Sequence, residues 1–404
     1  MASPVITVEI AFATNPLSAS AWTDVTAYLL RIPRIKRGRQ NELNRIEAGE
    51  AEIVFNNLDR RFDPTNTASP YYPNVIPMKR IRISATYSAV TYRLFTGFIE
   101  NWPPLWPLDG TATTAIRCVD GFKVLNLNKL TTTLPSEYSG WAVASLMVAA
   151  GFLSADYSAI GGQTKVLAQT LNETPALQRL QDIVDAENGL AFFRGDGVLE
   201  FQNRHYRLIQ SIANTSQATF GDGGSSELGY TDLQPSYDDV SIWNEVRITP
   251  LGSTVQVASD ATSQLQYGKR TLPKTLIIAD ASGAGGPTET DEAASAAAWL
   301  LANYKDPALR FVSITIAGAS VPATHWYQVL NRTISERITV VKRPPGGGAA
   351  ISQECYIESV EHRIGGYVDE WHTTWQLSPA SALTYWVMDN ATLSIMDSTT
   401  RLAY

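Results

Sequence analysis

The stretch Ala48-Gly49-Glu50-Ala51-Glu52-Ile53-Val54-Phe55-Asn56-Asn57-Leu58-Asp59-Arg60-Arg61-Phe62-Asp63-Pro64 decides the reading of the fold. Ala51 to Phe55 ends in a β-branched and aromatic run, and Asn56-Asn57-Leu58-Asp59 breaks it, so a strand runs into a turn. Prolines at 64, 70, 73 and 77 make the continuation an extended loop. The flanking segments have period two. Ile6, Val8, Ile10 and Phe12 alternate with Val5, Thr7, Glu9 and Ala11, and Ile81, Ile83, Ala85 and Tyr87 alternate with Arg80, Arg82, Ser84 and Thr86. That alternation marks half-buried strands. Tyr92 to Glu100 is a further strand, closed by the stiff aromatic loop Trp102-Pro103-Pro104-Leu105-Trp106-Pro107. Residues 1–120 therefore read as one antiparallel β unit.

From residue 121 the pattern becomes α+β. Trp141 to Ala150 reads as a buried helix ending at Gly151. In the next helix Thr174 is the expected N-cap, Pro175 the first helical residue and Gly189 the stop, with Leu177, Leu180, Ile183 and Val184 on one face. A hairpin follows, Ala191 to Phe193 and Val198 to Phe201 around Arg194-Gly195-Asp196-Gly197. This unit spans 121–206. Strands return after 207: Val240 to Ile248, Phe311 to Ile316 with Val312, Ile314 and Ile316 on one side, Ile338 to Lys342, Tyr356 to Glu361, and the alternating Trp371, Thr373, Trp375 and Leu377. A helix over Asp291 to Tyr304, capped by Thr290, lies in an insertion at about 250–308. Residues 379–404 read as a closing hairpin around Asp389-Asn390. A faint repeat links the halves: a strand near 80 leads to Phe98-Ile99-Glu100, and one near 338 leads to Tyr356-Ile357-Glu358. Residues 1–120 and 207–378 then carry similar small β-barrels. The fold class is mainly β with α+β parts: two related antiparallel β-barrel domains plus two smaller α/β accessory domains.

The 404 residues are 44% hydrophobic, enough for real cores and outside the range of disordered chains. The net charge of −7 argues against a dedicated nucleic-acid binder. Charged residues are only 18%, which fits a surface buried against other chains and equally a surface of uncharged polar groups. Cys118 and Cys355 form no disulfide framework and read as buried free thiols. The first residues show no secretory signal, and the longest apolar run, Trp141 to Leu153, is too short for a span, so no membrane insertion is expected.

No catalytic residue, cofactor or metal site emerges. The four histidines and two cysteines lack zinc spacing, there is no G-x-S-x-G, and Gly346-Gly347-Gly348 lacks the Lys-Ser/Thr of a phosphate loop. His362 and His372 sit across a hairpin as strand polarity. Glu100, Asp120, Glu358 and Glu361 offer carboxylate pairs for glycoside hydrolysis but read as solvent-facing strand residues. The basic run Arg31, Arg34, Lys36, Arg37, Arg39, Arg45 is interleaved with isoleucines, not stacking aromatics; protein contact, nucleic-acid contact and a solvated face all fit it. The Trp102 to Trp106 loop is either a carbohydrate platform or a barrel plug. Arg34, Arg37, Arg39, Trp102, Trp106 and Trp386 are the candidate protein-interface residues.

Several segments in order resemble the tail hub (baseplate hub) proteins of tailed bacteriophages. Gly38-Arg39-Gln40 with Ala48 to Pro64 resembles the N-terminal barrel of that family. Asp238-Asp239-Val240-Ser241-Ile242-Trp243-Asn244-Glu245-Val246 looks like the strand re-entering the second barrel. Arg343 to Gly348 with Ile351-Ser352-Gln353 and Tyr356-Ile357-Glu358 looks like a late hairpin, and Trp371 to Pro379 with Trp386 to Leu402 resembles the ending. The resemblance implies a homotrimer at the tail tip of the virion. Its two barrels per chain would match a six-fold tail tube or distal tail ring to three-fold symmetry, surround the end of the tape measure protein, and open for DNA ejection. A separate chain would supply fibre or spike, and no enzymatic activity is implied. The alternative is a distal tail ring or a receptor- or glycan-binding tail component.

Overall fold

The computed structural model describes residues 3–380 except 109, 160, 225 and 366–369, together with the backbone of 384–385 and 400–401. Period-two alternation in the first part builds β1 (Val5–Ala11), β2 (Leu29–Gly38), β3 (Glu47–Asn56), β4 (Arg80–Tyr87), β5 (Val90–Ile99), the two-residue β6 (Pro104–Leu105) and β7 (Thr113–Val119). The middle part supplies α1 (Phe122–Leu127), α2 (Ser139–Ala149), α3 (Ala176–Glu187) and the hairpin β8 (Leu190–Phe193) and β9 (Leu199–Gln202). The last part holds β10 (Thr219–Gly221), β11 (Asp232–Ser236), β12 (Glu245–Pro250), β13 (Gln256–Ser259) and β14 (Thr271–Leu276). It continues with α4 (Glu289–Tyr304), β15 (Arg310–Ala317), α5 (Pro322–Asn331), β16 (Arg337–Lys342), β17 (Ile351–Ile364) and β18 (Trp371–Pro379).

The protein is mainly β, and a large sheet of 14 strands runs through both halves in the order β11-β15-β18-β17-β2-β3-β7-β5-β4-β1 and on to Thr23–Asp24. It is antiparallel except where β10 adds to β16 in parallel. The faint repeat is a real duplication. Taken in chain order, the first half contributes β1, β2, β3, β4, β5 and β7, and the second contributes β10, β11, β15, β16, β17 and β18. In each set the spatial order is second, third, sixth, fifth, fourth, first. The match extends to single residues. Ile99 lies opposite Cys118 and Ile357 opposite Leu377. Ile99 N–H donates to Lys79 O at 2.9 Å and Met78 N–H to Ile99 O at 2.8 Å. Ile357 N–H donates to Glu336 O at 3.0 Å and Ser335 N–H to Ile357 O at 2.7 Å. Met78 and Ser335 even share a positive φ, 67° and 74°.

One core serves both halves, from Val8, Ile53, Phe55, Phe95 and Ile116 to Phe311, Trp326, Trp371 and Trp375. Two chains of aromatic contacts anchor it: Trp102 stacks with Phe12 and Phe62, and Trp326 meets Trp371 edge-on. A second core joins the middle part to the insertion, with Leu146, Leu180, Phe193 and Phe201 on one side and Val246, Ile248, Ala293 and Leu300 on the other. Among the described residues no helix is long and apolar enough to cross a membrane.

Several local expectations shift. The segment 239–244 turns, and Glu245–Pro250 joins a separate three-stranded sheet with β13 and β14; it does not re-enter the large sheet, which β11 does. Val312 loses its core position because the β11·β15 register slips there, and Phe311 is buried in its place. Trp141 and Val148 of α2 face outward, so that helix is buried on one side only. Thr174 pairs with Leu130 in a short ladder and Pro175 takes the cap position of α3. The left-handed residue ending α3 is Asn188, at φ 52°. α4 starts two residues early because Thr288 Oγ1 accepts Asp291 N–H at 3.1 Å. Of the closing segment, Thr384–Tyr385 and Thr400–Arg401 pair in parallel; the expected hairpin strands between them and Trp386 lie outside the described residues.

His362 is buried in β17, not surface polarity, while His372 is exposed. Trp371 Nε1, which can only donate, points to His362 Nδ1 at 3.3 Å, and Thr373 Oγ1 lies 2.9 Å from the same nitrogen. Burial, helped by nearby Arg37, pushes the imidazole pKa down to about 3. The unfolded chain takes up this proton near pH 6.5 and the folded chain refuses it, so stability is lost as pH falls below about 6.5. In urea unfolding, the wild type is expected to lose about 2 kcal/mol more between pH 7 and pH 5 than His362→Gln, which stays neutral and still accepts from Trp371. Equal losses would show that the imidazole is protonated in the folded protein.

Candidate functional site

A buried polar site lies where the two halves meet. β17 is 14 residues long. Its first part pairs with β16, from Ile351 to Tyr356, and its last part pairs with β2: Ser359 opposite Gly38, Val360 opposite Arg37, Glu361 opposite Lys36, His362 opposite Ile35. At the crossover Glu358 is fully buried. Its Oε2 accepts from Arg39 Nε at 2.7 Å, and its Oε1 accepts from Arg207 Nη1 at 2.8 Å and from Ser378 Oγ at 2.6 Å. Burial alone would raise the Glu358 carboxyl, but Arg207 and Arg39 hold it well below the usual carboxylate range. Arg39 N–H donates to Glu358 O at 3.0 Å. The preceding Gly38 has φ 112°, and a Cβ there would lie 2.3 Å from Glu358 O, so the strands approach this closely only with glycine.

Around this joint two residues of the basic run, Arg37 and Arg39, turn inward, while Arg31 and Arg45 stay exposed. Arg34 reaches Glu361 at 3.0 Å and keeps 43% of its side chain exposed. Arg37 is buried, with Nη1 3.5 Å from Phe193 O, and burial lowers its pKa to about 10 against the pull of Asp120 and Asp196. Asp120, likewise buried, accepts from Gly49 N–H at 2.7 Å and Phe122 N–H at 3.0 Å, and burial still pushes it up to about 7. Beside Arg39 and Arg207 lies a cavity of about 300 Å³ whose wall also includes Lys274, Trp299, Arg310 and Tyr356. Its guanidinium groups are largely matched: Arg310 with Glu42, Arg204 with Glu292 at 2.9 Å, and Arg45 with Asp185 at 2.5 Å. The wall is an ion-paired seam between four parts of the chain.

Arg37, Arg39 and Trp102 are therefore spent inside the chain and do not form an outer surface; Trp102 Nε1 donates to Ile76 O at 2.8 Å. Trp106 is 56% exposed, and Arg34 is half-exposed but engaged. Trp386 lies outside the described residues. Asp120 and Glu358 are buried, so the reading of these carboxylates as solvent-facing fails; Glu100 pairs with Lys123 at 2.6 Å. Arg207 and Ser378 escaped the sequence reading: Arg207 meets Glu358 across 151 residues, and Ser378, 20 residues on, meets it from the neighbouring strand β18. Both cysteines are free and buried, and burial pushes the Cys355 thiol up to about 12. Among the described residues no group of three or more His, Cys, Asp or Glu is placed to hold a metal.

No protein-family model matches the sequence, and no curated protein matches it. Solved structures do. The chain is similar to a tail protein from Neisseria meningitidis MC58, with a TM-score of 0.57 at 13% identity over 93% of this chain and 96% of that one. It is also similar to a chain of the half-lidded Francisella PdpA-VgrG complex, with a TM-score of 0.51 at 10% identity over 94% of this chain and 58% of that one. A match to prophage tail protein gp18 from Listeria monocytogenes EGD-e has a TM-score of 0.48 at 10% identity over 92% of this chain and 94% of that one. The fold is shared with the Neisseria tail protein, in keeping with the resemblance seen in the sequence. The match to the Neisseria protein runs nearly end to end in both chains.

The joint makes a graded prediction. Glu358→Ala leaves Arg39 and Arg207 buried without a counter-charge and is expected to cost about 3–5 kcal/mol in urea unfolding. Arg34→Ala removes a half-exposed pair and is expected to cost less than about 1 kcal/mol. Equal small losses would mean that Glu358 does not hold the halves together.

Proposed function

We propose that this chain is a structural subunit of a phage-type tail, acting as a trimeric hub at the tail tip. The observation that carries the reading is the duplication: two six-strand units of one spatial order in a single chain. Three copies would present six such units, which suits a junction between a six-fold tube or distal tail ring and a three-fold tip. The tail-protein fold supports the structural role. The units are taken as 1–120 and 207–378, with 121–206 and the insertion at about 250–308 as accessory domains and 379–404 as the closing segment. The partners in this reading are further copies of the chain, the distal tail or tube ring, the tape measure protein, and a separate fibre or spike chain. DNA passes through on ejection, and the net charge of −7 suits a conduit that does not grip phosphates. Its place is the virion tail tip, and its role is assembly, not catalysis. Arg34, Trp106 and Trp386 stay as the interface candidates from the sequence.

Light scattering with negative-stain imaging of the purified protein tests this. The expected result is a mass near three times the 44.2 kDa of one chain and a ring with six lobes. A monomer at every concentration, even with tail components added, would overturn the hub reading. A ring of six chains would favour a distal tail ring.

A further inference from the structure

The duplication gives the joint inside the chain a counterpart that one chain cannot complete. With Ile357 matched to Ile99, and Thr373 to Thr114, the part of β17 that joins β2 corresponds to Asn101–Trp106. The register supports this in detail: His362 lies opposite Thr373 and Pro104 opposite Thr114, each after a one-residue slip from the preceding Ile pair. Likewise β2 corresponds to β11, since Arg34 lies opposite Glu52 of β3 and Gln234 opposite Ser313 of β15. Among the described residues, β6 pairs with β7 alone in the first half, and in the second β11 pairs with β15 alone and ends the sheet. The outer edges of these two segments are the unused equivalents of the two edges that meet in the β17·β2 joint.

We infer that copies of this chain join head to tail, the outer edge of Asn101–Leu108 on one copy docking along β11 and the residues after it on the next. This deepens the hub reading, on which the number of copies rests; the choice of edges rests on the duplication. The exposure of apolar groups agrees. Leu105, Trp106 and Leu108 are 58%, 56% and fully exposed on one edge, and Tyr237 and Val240 are 68% and 69% exposed on the other. Transferring the joint's register places Leu105 near Gln234 and Pro103 near Ser236 of the next copy. Pro103, Pro104 and Pro235 have no N–H to donate, so this contact carries fewer backbone bonds than the β17·β2 joint and depends more on its apolar side chains. Each copy offers one edge of each kind, so the contact is heterologous and must close into a ring or run on.

The test uses the full chain with Leu105→Cys and Gln234→Cys together, oxidised at a concentration where light scattering shows multimers. Cys118 and Cys355 are buried, so background crosslinking is low. A disulfide requires Cα atoms within about 7 Å. The expected result is covalent dimers and trimers on a non-reducing gel with nothing larger, and none from either single variant. Trp106→Asp should weaken assembly at least about tenfold, as loss of a buried aromatic anchor does. Multimers that crosslink neither through this pair nor through Pro103→Cys with Ser236→Cys would overturn the proposed edges and leave the hub reading standing. A ladder beyond three chains would support the edges and overturn three-fold closure. A chain that never associates would overturn both.

Discussion

The fold depends on one carboxylate. Glu358 is buried where strand β17 leaves one partner for another, and it is tolerable there only because Arg39 and Arg207 bring two positive charges and Ser378 a hydroxyl. Those donors come from three separate parts of the chain: the N-terminal half, the link after the middle part, and the last strand of the second half. An ion pair of this kind gains little over a well-packed apolar contact, but it punishes misplacement. If either arginine's part shifted, a buried charge would lose its partner, and if the last strand shifted, Glu358 would lose a hydroxyl donor. The site therefore fixes register and mutual orientation more than it adds stability, and the long joined sheet follows from that registration.

The accessory parts are fastened by the same means. Asp120 holds the turn from β7 into α1 by accepting the N–H groups of Gly49 and Phe122, and Arg37 reaches from β2 to the carbonyl of Phe193 in β8. The insertion is tied to the middle part by backbone bonds, Leu167 N–H to Ile277 O and Ala279 N–H to Lys165 O, and by the second core. What the sequence suggested as two accessory domains thus shares one interior. The two duplicated units are framed by these parts, and among the described residues the edges at Pro104–Leu105 and β11 are left without a further strand.

Local chemistry was legible in the sequence where it depends on local pattern. The alternation in β1, β4 and β18 reads directly, and so does the hairpin around Arg194 to Gly197, because period and turn residues lie within ten positions. The helix α5 was missed although Val321-Pro322 marks its start; the apolar Trp326, Val329 and Leu330 were too few to show a period. In the basic run, the burial of Arg37 and Arg39 has a different cause. A strand arginine looks like surface when its partner is distant, and Arg39 finds Glu358 at a separation of 319 residues. No window of sequence contains that pairing. Trp102 is similar: the prolines around it show that the loop is stiff, not which way the indole turns. The duplication was visible only as Phe-Ile-Glu against Tyr-Ile-Glu, because what is repeated is strand order and hydrogen bonding, and most side chains have diverged.

A duplicated chain of this kind raises a physical problem at its ends. Joining two equivalent units edge to edge satisfies one edge of each and leaves one edge of each open, and open edges of antiparallel sheets recruit other strands indiscriminately. Among the described residues, one open edge is the proline-rich Trp102–Pro107 segment and the other, β11, contains Pro235. Proline removes the donors that any passing strand would use, yet leaves the side chains of Leu105 and Trp106 free to be recognised by shape. An edge so built discourages unspecific addition while permitting one complementary partner, and the complementary edge is carried by every copy of the same chain. The intrachain joint, rich in buried ion pairs, sets the geometry once during folding. The open edges, nearly free of them, leave further association to apolar contact, which can wait until the neighbouring chain is present.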